Sequence, residues 1–171
     1  MQMVLAISAA SAPGLIEQRI MVGLSGLEHV MWQNLVLTKV RTESNYRNER
    51  AANLLRDVLG AASIPAGLDT NLQPVMASLA AAKTTGGPHF DGAEVLTWTR
   101  NQLVHPKPGR QRAYQYPGLL LEAWQLLRHY LVLLVLHSLG YQGSYRDPRA
   151  LQGMASATMP VPWKVSASQV P

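Results

Sequence analysis

The stretch bounded by Pro117 and Gly140 constrains this chain more than any other part of it. Proline suits the first turn of a helix, and glycine suits the position just past its end. A helix between them would be roughly 35 Å long. From Leu131 to Leu136 it is apolar on every side. Such a helix has no polar face to give to water, so it belongs at the centre of a bundle or against another subunit.

The rest of the chain reads as shorter helices cut by proline and glycine. Ile20, Leu24, Leu27, Met31 and Leu35 repeat at three and four, which predicts one apolar helical face between Pro13 and about Lys39. Gln18, Ser25, His29 and Gln33 lie opposite. A second helix is expected from about Asn48 to Leu59, burying Ala51, Leu54, Leu55, Val58 and Leu59. Arg50, Asn53, Arg56 and Asp57 stay outside, and Gly60 and Pro65 end it. The cluster Arg41, Arg47, Arg50 and Arg56, interleaved with Glu43, Glu49 and Asp57, reads as one exposed face with local ion pairs.

A third helix, about Asn71 to Lys83, tolerates Pro74 in its first turn. Asp91 can cap a fourth, with Glu94 placed as in a capping box. That helix runs to Val104, where Pro106 and Pro108 stop it. No segment has the alternation of a sheet strand, so the expected fold is all-α. Trp32, Trp98 and Trp124 are expected in the core. An extended tail follows Tyr145, with Trp163 as a local anchor.

Apolar residues make up 47% of the chain and charged residues 15%, which implies a large interior or a surface covered by a partner. There is no cysteine, which excludes disulfides, thiolate zinc sites and thiol catalysis, and leaves the cytoplasm as the expected location. Met1 to Ala12 is apolar but has no basic lead, unlike a signal peptide. The apolar stretch at Leu131 to Leu136 is far short of the about 20 residues that span a bilayer, so no membrane association is expected. The histidines show no ligand spacing, and neither metal nor cofactor is expected. A net charge of +5 is compatible with a polyanionic partner.

One segment carries chemistry. Thr99-Arg100-Asn101-Gln102-Leu103-Val104-His105-Pro106 puts a permanent cation, an amide and an imidazole at one helix end. Asn101 and His105 are one turn apart and share a face. Metal-free RNA cleavage needs a group to take the 2′-hydroxyl proton and a cation for the charge growing on phosphate. Histidine can do the first, and the planar fork of arginine the second. Lys107, Arg110 and Arg112 follow as a candidate phosphate track, and Tyr114 and Tyr116 could stack on bases. Glu28 is a candidate lining residue. The competing role of each is structural: a helix-end pair, a solvated loop, and a surface carboxylate or partner for an arginine.

The spacing Arg100-Asn101, three residues, then His105 resembles the RN-x-x-x-H signature of HEPN domains. The surroundings are also similar to HEPN domains of ApeA-like bacterial proteins: Gly26-Leu27-Glu28 upstream, Leu103-Val104-His105-Pro106, and a Leu-rich last helix closing with Leu139-Gly140-Tyr141. The resemblance implies an up-and-down bundle of four to five helices that dimerises with itself. It divides the chain into an N-terminal segment at 1–13, a HEPN-like bundle at 14–146 and an extended tail at 147–171. It further implies a metal-independent endoribonuclease of a toxin or phage-defence setting. Arg100 and His105 would be the catalytic pair and Asn101 the polar helper. RNA is the implied substrate, with an antitoxin or a separately encoded sensor as a further partner. A non-catalytic helical module that dimerises and binds RNA or nucleotide is the alternative.

Overall fold

A computed structural model describes residues 14–84, 90–105, 112–149 and 158–164; the side chains of Thr84 and Arg112 lie outside that description. The fold is all-α, with one small β-ribbon. Its helices are α1 (Ile16–Trp32), α2 (Glu43–Asn48), α3 (Ala51–Ala61), α4 (Pro74–Thr84), α5 (Gly92–Val104) and α6 (Leu119–Ser138).

Helix α6 is the axis, packed against α1, α4 and α5. Leu119, Leu126, Leu127, Tyr130, Leu131 and Leu133 on it are fully buried. Each buried leucine of this kind stabilises the fold by about 1.5–3 kcal/mol. Gly140 adopts the left-handed conformation past the helix end, at φ 64°. By length and hydropathy the whole of α6 could cross a membrane, which the six-residue stretch within it did not suggest. In the bundle, however, its apolar surface is largely used internally, and Glu122 and His129 are buried on it.

Glu122 is buried because it has work to do. Its carboxylate accepts the backbone N–H groups of Val75 (3.1 Å) and Met76 (2.8 Å). Those are first-turn donors of α4, which have no partner inside their own helix. Pro74 occupies the first position of α4, as its chemistry predicts.

The face expected on α1 is buried: Ile20, Leu24, Leu27, Met31 and Leu35. The α-helix stops at Trp32, and a π-helical turn, Gln33–Leu37, carries the chain to Lys39 at φ 62°. The second expected helix is α3, which starts at Ala51 rather than Asn48, and the short helix α2 before it was not expected. Thr42 caps α2 by accepting from Asn45 N–H, and the buried position at the start of α3 belongs to Ala52 rather than Ala51.

The basic cluster is not one face with local pairs. Only Arg47 pairs locally, with Glu43. Arg41 reaches Glu49 and Asp57, whereas Arg50 crosses to Glu94 and Arg56 crosses to Asp91 and Glu94 on α5. Asp91 caps α5 as expected, accepting from Glu94 N–H at 3.1 Å. Glu94 does not complete a capping box, because the two arginines from α3 claim its carboxylate. Gly92 is required here: a Cβ would sit 2.5 Å from the Tyr130 hydroxyl and 2.9 Å from the Ala66 carbonyl oxygen.

The tail contains a strand that the sequence pattern did not announce. Ser144–Arg146 (β1) pairs antiparallel with Thr158–Pro160 (β2), with Tyr145 opposite Met159. Three residues per strand are too few for alternation to be readable. Trp163 donates to the Tyr141 carbonyl at 2.7 Å and stacks edge-on against His137, so it is an anchor. Trp32, Trp98 and Trp124 are half-buried rather than enclosed in the core.

Candidate functional site

Helix α5 is amphipathic in a way that separates its two ends. Gly92, Ala93, Val95, Leu96 and Thr99 are buried, while Arg100 is half-exposed and Asn101 and His105 are exposed. The polar groups therefore cluster at the last turn. His105 closes the helix with φ −121° and ψ 63°, leaving helical geometry just before Pro106. Its backbone N–H still donates to the Asn101 carbonyl at 3.1 Å, so the turn joining these two residues is intact.

Arg100 points to α1. Its Nη2 lies 3.0 Å from Glu28 Oε1, with the arginine side chain 34% and the glutamate 44% exposed. Glu28 is thus an arginine partner. The turn bearing Glu28 is itself held: the Tyr46 hydroxyl donates to the Glu28 carbonyl at 3.3 Å, and the Tyr46 ring packs edge-on against Trp32. Burial, followed by the nearby Glu28 charge, raises the Tyr46 pKa, so this hydroxyl remains a donor at neutral pH.

Lys107 and Arg110 of the expected phosphate track lie outside the described residues. Arg112 begins a short 3-10 helix, Arg112–Gln115. Tyr114 is exposed, and its hydroxyl donates to Glu17 at 3.1 Å, tying this segment to the start of α1. Tyr116 meets Trp98 edge-to-face, and Lys83 lies over that indole at 5.0 Å. Tyr114 keeps an exposed ring, whereas Tyr116 is already engaged.

Among the described residues, no three His, Asp or Glu side chains converge as metal ligands do. An exposed imidazole can exchange a proton, and a half-exposed guanidinium can hold an oxyanion once Glu28 yields.

Three features escaped the sequence reading. His129 Nδ1 sits 3.3 Å from Asp147 Oδ1, and Arg149 grips the same carboxylate. Burial lowers the His129 pKa, and the adjacent His129 ring and the hydrogen bonds from Arg149 hold the Asp147 carboxyl well below the usual range despite its burial. A cavity of about 530 Å³ opens at the π-helical turn, lined by Asn34, Leu35, Arg41, Val58, Leu134 and His137 among others. The guanidinium groups of Arg19 and Arg128 both lie against the Trp124 ring. Each joins residues far apart in the chain, so only the helix spacing of Trp124 and Arg128 gave any signal beforehand.

The fold and this helix end define a class: a helical bundle presenting cationic, amide and imidazole groups at the end of one internal helix. Residues 7–156 match the model of the YopA C-terminal domain, and the chain belongs to that family. It is similar to the SPbeta prophage-derived uncharacterized protein YopA of Bacillus subtilis (strain 168), with 27% identity over 159 residues. That alignment covers 92% of this chain and 34% of the relative, so the chain spans about a third of the relative's length. No solved structure matches the chain.

Proposed function

We propose that this bundle is a metal-independent endoribonuclease of the HEPN type. The observation that carries the reading is the RN-x-x-x-H spacing at an exposed helix end, with Asn101 and His105 both open to solvent. In this reading His105 takes the 2′-hydroxyl proton or returns one to the leaving 5′-oxygen. Arg100 leaves Glu28 to clamp the phosphate, and Asn101 orients the two. The nucleophile is internal to the RNA, so the products carry 2′,3′-cyclic phosphate and 5′-hydroxyl ends.

One chain supplies one His105, whereas the reaction needs both an acid and a base. A two-fold dimer supplies the second imidazole. The similarity to a prophage-derived protein supports a phage-linked setting. In this reading the chain acts in the cytoplasm as a toxin or a defence factor, restrained by an antitoxin or a separate sensor.

The Arg100–Glu28 ion pair favours a second reading, because a committed guanidinium is not offered to phosphate. The bundle would then be a dimerising module that binds RNA or a nucleotide without cutting it.

The test is incubation of the purified chain with total RNA in EDTA, beside Arg100→Ala and His105→Ala. Cleavage that survives chelation and disappears in both variants is the expected result. RNA binding without cleavage, unchanged in the His105 variant, would replace the nuclease with the binding module.

A further inference from the structure

Arginine keeps its charge throughout the physiological range, so a fold that brings two together must offset their repulsion. The described arginines follow this rule with one exception. Arg41, Arg47, Arg50, Arg56, Arg100 and Arg149 each reach a carboxylate. Arg146 is exposed to water. Arg19 on α1 and Arg128 on α6 have neither arrangement. Both are half-buried, and among the described residues no ion pair joins either to an acid.

The two converge on one indole. The guanidinium carbon of Arg19 lies 5.4 Å from the Trp124 ring centroid, and that of Arg128 lies 4.8 Å from it. Attraction to the ring offsets part of the repulsion. It leaves the hydrogen-bonding edges unsatisfied: both Nε atoms are buried with no partner. Desolvation, then the charge of Arg19, lowers the Arg128 pKa, and no acid acts against either effect. The nearby Glu17 carboxylate is engaged by the Tyr114 hydroxyl.

This pair is separate from the Arg100 end. Arg19 and Glu28 are nine residues apart on α1, two and a half turns, and so point to opposite sides of the helix. Glu28 faces α5, and Arg19 faces α6.

We propose that Arg19 and Arg128 form a second site, one that takes a phosphoryl oxyanion. Two guanidinium forks present more donors than a single carboxylate can accept, whereas a di- or triphosphate group has oxygens for both. The phosphate can come from a free polyphosphate or from a nucleotide.

The test is calorimetric titration of the full chain with inorganic pyrophosphate, then with ADP, followed in parallel by tryptophan fluorescence. Saturable binding is expected, weakened at least tenfold in Arg19→Gln and Arg128→Gln. Arg128→Lys keeps the charge and the stem but loses the fork, and should bind several-fold more weakly while remaining folded by circular dichroism. Tighter binding of ADP than of pyrophosphate assigns the phosphate to a nucleotide; equal binding assigns it to a free polyphosphate. Arg100→Ala should bind pyrophosphate as the parent does, whether or not that variant cleaves RNA. Absence of saturable binding at millimolar ligand overturns the proposal. So does binding that both glutamine variants retain, or that Arg100→Ala alone removes.

Discussion

Arg100 Nη2 and Glu28 Oε1 lie 3.0 Å apart, joining the motif-bearing end of α5 to the middle of α1. The side chains are 34% and 44% exposed, so water screens the pair and its contribution to stability is small, about 0–1 kcal/mol. Under the proposed function it would decide whether the guanidinium is available to phosphate. Glu28→Gln should therefore leave the urea midpoint almost unchanged and tighten RNA binding. The slope of log affinity against log salt should steepen by about one phosphate contact. Filter binding at two salt concentrations checks this, and an unchanged slope would mean that Arg100 does not touch RNA.

Asp91 both caps α5 and receives a fork from Arg56, at 2.7 and 3.0 Å. Asp91→Ala removes the cap and leaves a half-buried guanidinium with one partner fewer. A loss of about 3 kcal/mol is expected. Equilibrium urea unfolding measures it, and Arg56→Ala should cost a similar amount because it leaves the buried carboxylate uncompensated.

Gly92→Ala tests the close approach of α5 to α6. The new methyl would meet the Tyr130 hydroxyl and the Ala66 carbonyl, neither of which can move without disturbing α6 or the α3–α4 connection. The cost should be about 1–3 kcal/mol, well beyond what alanine returns through helix propensity. A thermal melt that rises in this variant would contradict the packing described.

Glu122→Gln keeps the shape of the side chain and removes the charge that meets the first turn of α4. Stability should fall by about 1 kcal/mol, since an amide oxygen still accepts one N–H but complements the helix dipole less well. Hydrogen exchange at Val75 and Met76 should accelerate more than exchange elsewhere in α4.

The His129–Asp147–Arg149 cluster makes stability depend on pH. The folded-state pKa of His129 is lowered, so below about 6.5 the unfolded chain binds the proton more readily and stability falls as pH falls. Asp147 adds in the same direction at lower pH: its folded pKa is also lowered, and its contribution is lost as the pH drops through the usual carboxylate range. His129→Asn should flatten the profile between about pH 6.5 and 5 and weaken, without abolishing, the acid limb due to Asp147, which keeps Arg149 as its partner. Urea midpoints taken at half-unit pH steps decide this.

The sequence by itself determined the helices. Their apolar stripes, the Asp91 cap, Pro74 in a first turn and Gly140 past a last one are local properties, set by residues within a turn or two of each other. It also marked Arg100, Asn101 and His105 as one group, because a helix end is a local object. Tertiary structure decided the partners. Nothing in the spacing of Arg56 and Asp91, Glu122 and Met76, or His129 and Asp147 announces contact, since charge attracts across whatever distance the packed helices close. The same holds for Arg19 and Arg128: one indole holds both only after α1 has been laid along α6.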